Sequence, residues 1–329
     1  MLEERNRQTK QSPIIRLKNI SKKYEDYNLF SKKNESDTYA VKGVDLEIRP
    51  NETVAVVGES GCGKSTVAKL ILGLIEPTDG KIFYDGIEKN QMKKNEKRKI
   101  MKDVQMVFQD PYGAFNPKMK IKNIIAEPLS VNMSYSSSEI DRICQEVIEH
   151  VGLKKEDLIK YPDEFSGGQR QRIAIARAII GTPRLIICDE PVSALDLLVQ
   201  AQILNLLKDI QEEKKLSYLF ISHDLAVVKY VSDYVVVMYL GKIVEKGSKN
   251  QIFDNPKHPY TKLLLDSSVS VHKRMKDIQV CDDIDIFKKD NKCCPFYNRC
   301  SLAKEKCREE EPDLKEYESG HEVACFLLS

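Results

Sequence analysis

The chain has 329 residues, of which 41% are apolar and 31% charged, enough apolar material for a sizeable core and too much for an intrinsically disordered chain. Its 52 Lys and Arg stand against 50 Asp and Glu, a formal charge of +2, so the composition carries no nucleic-acid footprint. Apolar stretches such as Tyr234–Leu240 fall far short of the ~20 residues that span a bilayer; the polar opening MLEERNRQTKQ has no secretory h-region, and a soluble cytosolic protein is expected.

The alternation over Ile14–Ile20 predicts an opening strand, followed by a polar loop over Glu25–Thr38. A second strand, Val44–Ile48, ends at Pro50-Asn51, and a β-branched run, Thr53–Val57, leads into a Gly-rich loop and a helix over Ser65–Leu74. The charged stretch Glu88–Lys102 reads as a solvated face, because no aromatics interleave its lysines. Helices are expected over Ile121–Leu129, Ser138–Val151 and Gly168–Ile180. Two apolar runs, Leu185–Cys188 and Tyr218–Ile221, flank a helix over Leu198–Glu213, the pattern of a parallel sheet in an α/β protein. Tyr234–Tyr239 and Lys242–Glu245 read as a hairpin turned by Leu240-Gly241.

Gly58-Glu59-Ser60-Gly61-Cys62-Gly63-Lys64-Ser65 fits G-x-x-x-x-G-K-[ST] between a strand and a helix. The glycines let successive backbone N–H groups turn towards phosphate oxygens, and the helix N-terminus adds partial positive charge. Lys64 is expected to reach the β- and γ-phosphates and Ser65 to offer its hydroxyl to Mg²⁺, with Thr66 closing the nucleotide-binding set. Downstream, Leu185–Glu190 is an apolar strand ending in two carboxylates. Asp189 suits Mg²⁺, and Glu190 suits a general base on the attacking water.

Phe165-Ser166-Gly167-Gly168-Gln169-Arg170-Gln171-Arg172 resembles the signature of ATP-binding cassette ATPases, with Phe165 where that family usually has Leu. The other motifs follow in the family's order. Gln109 looks like the Q-loop glutamine, Ser193-Ala194-Leu195-Asp196 like the D-loop, and His223 like the switch histidine. Tyr24 stands where the family stacks an aromatic on adenine, with Tyr39 as the weaker candidate. The resemblance implies a P-loop NTPase fold: a RecA-like core with a mixed sheet, a helical signature subdomain near residues 110–180, and a Cys-rich C-terminal extension. It divides the chain into an ATPase domain at 14–255 and an extension at 256–329. It also implies Mg²⁺ held by Ser65, Gln109 and Asp189, and Ser166, Gly167, Gly168 and Gln169 acting in trans on the ATP of a second cassette.

A narrower resemblance, to the ATP-binding subunits of bacterial oligopeptide and dipeptide importers, rests on Gln109–Pro117, Pro191-Val192-Ser193, His258-Pro259-Tyr260-Thr261 and the closing cysteines. It implies two membrane permease subunits, an extracytoplasmic substrate-binding protein, and a place on the cytoplasmic face of the membrane. Nickel and glutathione importers share the first three features and stand as the alternative. A non-transport cassette ATPase fits less well, since only 56 residues separate Gln109 from Ser166, too few for a coiled-coil arm.

Five of the nine cysteines crowd the last 37 residues, which in a reducing compartment points to a metal or cluster rather than disulfides. Cys294, Cys300, Cys307 and Cys325 are spaced C-x5-C-x6-C-x17-C, without the close pairs of structural zinc. The resemblance implies a 4Fe-4S iron–sulfur cluster on these four; Zn²⁺ is the alternative metal and Cys293 an alternative ligand. So few apolar residues are expected to need such a cross-link to fold.

Overall fold

The computed structural model describes residues 12–24, 38–132, 135–269 and 293–328. Among these, the strands are β1 Ile15–Tyr24, β2 Thr38–Ile48, β3 Thr53–Val57, β4 Asp79–Tyr84, β5 Ile87–Glu88, β6 Val104–Val107, β7 Leu185–Asp189, β8 Ser217–Ile221, β9 Tyr234–Tyr239, β10 Lys242–Ser248, β11 Lys315–Glu318 and β12 His321–Val323. The polar opening and all but the end of the expected Glu25–Thr38 loop lie outside the described residues.

The chain forms two compact units. One comprises, among the described residues, 12–15, 47–53, 83–132 and 135–221. Within it β8, β7 and β6 lie side by side in parallel, with Leu185 opposite Ser217 and Val104 opposite Leu185. Leu185–Cys188 and all of β8 are buried, so these strands read as continuous apolar runs rather than alternating ones. The helix Leu197–Lys214 connects β7 to β8, burying Ile203, Leu204, Leu207 and Ile210 along one face. It stops at Lys215, which takes a left-handed φ of 51°.

The helical part of this unit packs Ile121–Asn132, Ser137–His150 and Gly167–Ile179 against one another. Ser136 and Glu139 cap the second of these reciprocally, Ser136 Oγ accepting from Glu139 N while Glu139 Oε2 accepts from Ser136 N. The charged run folds into the helix Lys94–Asp103, which buries none of its residues, as a solvated face requires.

The other unit comprises, among the described residues, 16–24, 38–46, 54–82, 222–269 and 293–328. Here β3, buried throughout, pairs in parallel with β9 from Val54–Tyr234 to Val57–Val237. The β9–β10 hairpin turns on Leu240 and Gly241 with φ of 44° and 78°, the pair of positive values that a type I′ turn needs. In the same unit β2, β1 and β4 lie in that order. With both parallel and antiparallel pairs, the architecture is α/β with a mixed sheet, as the sequence predicts.

The tail is built onto the sheet of this unit. Its β12 pairs antiparallel with β10, Glu245 opposite Val323, and β11 pairs with β12. Phe296 packs against Tyr239 and Tyr260, ring centroids 5.3 and 5.4 Å away. Buried Glu245 accepts from Lys257 N at 2.7 Å and His258 N at 3.0 Å, and its Oε1 lies 2.7 Å from His321 Nε2. Strand addition, an aromatic cluster and a buried carboxylate hub therefore tie the tail to the rest of the unit, whose sheet edge and core it shares.

Candidate active site

The expected site residues divide between the two units. The phosphate loop lies in the second, between β3 and the helix Lys64–Leu72. Gly58 and Gly63 have φ of 149° and 104°; a Cβ on either would come within 2.2 Å of a backbone carbonyl oxygen, Met238 O or Ala40 O. Both positions thus admit only glycine. Around Gly61 the space is open, with nothing within 4 Å of an added Cβ.

Helices starting at Ser137, Gly167, Leu197, Leu225 and Lys249 each have an N-cap side chain accepting from the first turn, whereas the helix after the loop has Gly63 as N-cap and no side-chain cap. A helix start left without a side-chain acceptor suits an external anion. The loop is held from within by Lys64, 5% exposed, whose Nζ donates to Gly58 O and Glu59 O, each at 2.8 Å. Cys62 is buried beside it, and desolvation pushes its thiol up in pKa. Tyr24, half exposed at the end of β1, lies beneath the Lys22 ammonium 5.6 Å from its ring centroid. His223 is exposed in the turn between β8 and the helix Leu225–Val231.

In the first unit, β7 carries Asp189 at its end and places Glu190 next. Glu190 adopts φ 48°, uncommon for a non-glycine residue and a feature of functional turns. Its N–H donates to Ile221 O at 2.9 Å, and its carbonyl accepts from Ser193 N and Ser193 Oγ at 3.3 and 3.2 Å. Gln109, just past β6, donates through Nε2 to Glu190 Oε2 at 3.0 Å. Two residues 81 apart in sequence thus meet side chain to side chain, an arrangement able to aim a carboxylate at a water.

Ser166 caps the helix Gly167–Ile179, Oγ accepting from Gln169 N at 3.4 Å while Gln169 Oε1 accepts from Ser166 N at 2.9 Å. Gly168 sits against Val199, where a Cβ would fall 2.4 Å from Cγ1. Asp196 caps the next helix, Oδ1 accepting from Val199 N at 3.0 Å, and Leu197 and Leu198 after it are 83% and 71% exposed. The glycines let two helix starts approach closely.

Cys294, Cys300, Cys307 and Cys325 line one small cavity of about 10 Å³, walled also by Phe296, Leu302, Phe326 and Leu327. Burial raises the Cys294 thiol to about 12, and the thiols of Cys300 and Cys325 are raised too. Four soft donors converge, as a cluster demands, but among the described residues no group of three or more His, Cys, Asp or Glu is disposed to hold a metal ion. The thiols of Cys294, Cys300, Cys307 and Cys325 thus share one cavity with an apolar wall.

Residues 41–193 match the ABC transporter family, and residues 244–307 match the oligopeptide/dipeptide transporter C-terminal region. The oligopeptide transport ATP-binding protein AppF of Bacillus subtilis is 43% identical over 97% of this chain and 98% of its own length. The dipeptide transport ATP-binding protein DppF of Escherichia coli is 44% identical over 88% of this chain and 87% of its own. The chain belongs to the ABC transporter ATPase family, in its oligopeptide/dipeptide branch. A dimeric ATP-binding cassette in a post-hydrolysis state, bound to ADP and Pi, superposes with a TM-score of 0.62 at 31% identity, covering 71% of this chain and 98% of that one.

For this ABC ATPase the sequence missed one contact of the phosphate loop. Arg299 of the tail pairs with Glu59 of the phosphate loop, Nη1 and Nη2 each 2.8 Å from a carboxylate oxygen. They lie 240 residues apart, and no local signal marks Arg299 among the charges of the tail.

Proposed function

We propose that this ATPase powers import of oligopeptides or dipeptides through a membrane ABC transporter, and that two cassettes must meet to form each complete site. The observation that carries the reading is the peptide-transporter C-terminal region fused to a full set of cassette motifs. The post-hydrolysis cassette it resembles is dimeric, which supports pairing with a second cassette, a homologue of this chain.

The chain's own residues divide the work. Gly58–Thr66 wraps the phosphates with its backbone and Lys64, Tyr24 stacks on adenine, and Ser65, Gln109 and Asp189 hold Mg²⁺. Magnesium, when bound, neutralises charge developing on the phosphate oxygens. Glu190 takes a proton from the attacking water, Gln109 orients that carboxylate, and His223 senses the terminal phosphate. Ser166, Gly167, Gly168 and Gln169 present a helix start to the partner cassette's nucleotide, and Asp196 fixes the adjoining helix across the interface. Pairing driven by ATP and relaxing after hydrolysis is coupling by differential contact, since the nucleotide bridges only the closed form.

No helix among the described residues is long and apolar enough to cross a membrane, which supports a peripheral place at the cytoplasmic face, bound to two permease subunits. An extracytoplasmic binding protein would deliver the solute. The division into an ATPase domain at 14–255 and an extension at 256–329 belongs to the same reading. Purification of the intact complex tests it: two permeases and a second cassette are expected to co-purify, and reconstituted ATP turnover is expected to rise with peptide-loaded binding protein. Stimulation by a nickel- or glutathione-loaded receptor instead would replace the solute, and a chain purifying without permeases would overturn the transporter.

The finer reading of the tail is a 4Fe-4S cluster on Cys294, Cys300, Cys307 and Cys325, supported by convergence of the four thiols on one cavity. Binding requires the thiols to ionise. Anaerobically purified chain is then expected to be brown, with iron and sulfide each near ~4 per chain, as a cubane requires. Colourless protein with stoichiometric zinc would assign the alternative metal, and colourless, metal-free protein would leave four structural thiols.

A further inference from the structure

Glu59, the second residue of the phosphate loop, is held at every polar group it has. Its N–H donates to Tyr260 Oη at 3.0 Å. Its carbonyl accepts from Lys64 Nζ at 2.8 Å. Its carboxylate accepts both arms of the Arg299 guanidinium at 2.8 Å. Two of these three partners come from outside the nucleotide motifs, from the C-terminal part of the chain. Tyr260 is fully buried, 4.6 Å from the Tyr239 ring. Arg299, in the turn between Cys294 and Cys300, lies over Tyr239 and Phe296 at 5.7 and 5.8 Å. The fork is thus oriented by packing before it meets the carboxylate.

A carboxylate in a loop built to receive a polyanion is a like charge placed beside its ligand. A bidentate guanidinium neutralises that charge and fixes its direction, which the point charge of a lysine does not. We propose that Arg299 is a positioning residue for the phosphate loop: with Tyr260 it clamps Glu59, cancels its charge and holds the loop in the form that receives nucleotide. Through Glu59 O, the clamp also fixes the backbone on which Lys64 rests. The proposal relies on the reading of Gly58–Thr66 as the phosphate loop.

The test is MgADP binding by calorimetry to the full-length chain, as a double-mutant cycle on Arg299→Ala and Glu59→Gln, with Arg299→Lys and Lys64→Ala alongside. Arg299→Ala is expected to weaken MgADP about fivefold at low salt, the scale of a partly exposed ion pair, and by less at about 0.5 M salt, where the exposed Glu59 charge is screened. In the Glu59→Gln background the same change is expected to cost less than about twofold, because the charge it neutralised is gone. Arg299→Lys, which keeps the charge and so guards against a misfolded alanine variant, is expected to fall between. Equal losses in both backgrounds would reduce Arg299 to an anchor of the tail and overturn the proposal, as would unchanged affinity in Arg299→Ala. If Lys64→Ala binds MgADP normally, the reading of the loop itself fails, a result separable from failure of the clamp.

Discussion

Glu190→Gln in the assembled complex is expected to slow ATP hydrolysis by about 10²-fold or more, the scale of general-base loss, while nucleotide binding persists. The substitution is close to isosteric, and the backbone that positions residue 190 is fixed independently of its side chain. Its N–H is tied to Ile221 O and its carbonyl to Ser193, so the φ of 48° is held by the turn. What changes is charge: a carboxylate that accepts from Gln109 Nε2 becomes an amide without the basicity to take a proton. ATP should then trap the paired cassettes, visible as an ATP-dependent shift to dimer on size exclusion together with slow single-turnover hydrolysis. Near-normal turnover would remove Glu190 from the role of base.

Lys64→Ala is expected to reduce ATP affinity and hydrolysis together, by 10-fold or more for binding on the ~1.5–3 kcal/mol scale of a hydrogen bond to a charged group. Two losses combine. The phosphates lose a charge-assisted donor, and Gly58 O and Glu59 O lose the ammonium that ties them at 2.8 Å. Because Lys64 is 5% exposed, the loop carbonyls left behind are poorly placed to find water, so a lower melting temperature is expected even without nucleotide. Calorimetry with MgATP on the isolated chain, beside a thermal melt, separates the two effects. Normal affinity with a lowered melting temperature would leave Lys64 a structural tie only and remove the reading of Gly58–Thr66 as the phosphate loop. Survival of transport in cells despite lost affinity would mean that the other cassette drives the cycle.

The parts legible in the sequence are those whose cause is local. Thr53–Val57 and Leu185–Cys188 could be read as strands because residues buried on both faces must be apolar in succession. The Leu240-Gly241 turn was readable from its residue pair, and Gly58–Ser65 from a spacing that only a phosphate-cradling backbone requires. Helix starts at Ser136, Ser166 and Asp196 likewise carry their own capping groups a few residues away.

Only the tertiary structure decided the tail. Lys315–Glu318 exposes every residue and His321–Val323 is three residues long; neither has a periodicity that marks a strand, and both exist because β10 offers an edge. The cysteines were legible as a set, but that they converge on one cavity walled by Phe296, Leu302, Phe326 and Leu327 depends on the fold of the tail. The Arg299–Glu59 pair joins residues whose partners no short window contains. Motifs are written in sequence because local backbone geometry is short-ranged, whereas an ion pair across 240 positions is fixed by the fold that brings its two ends together.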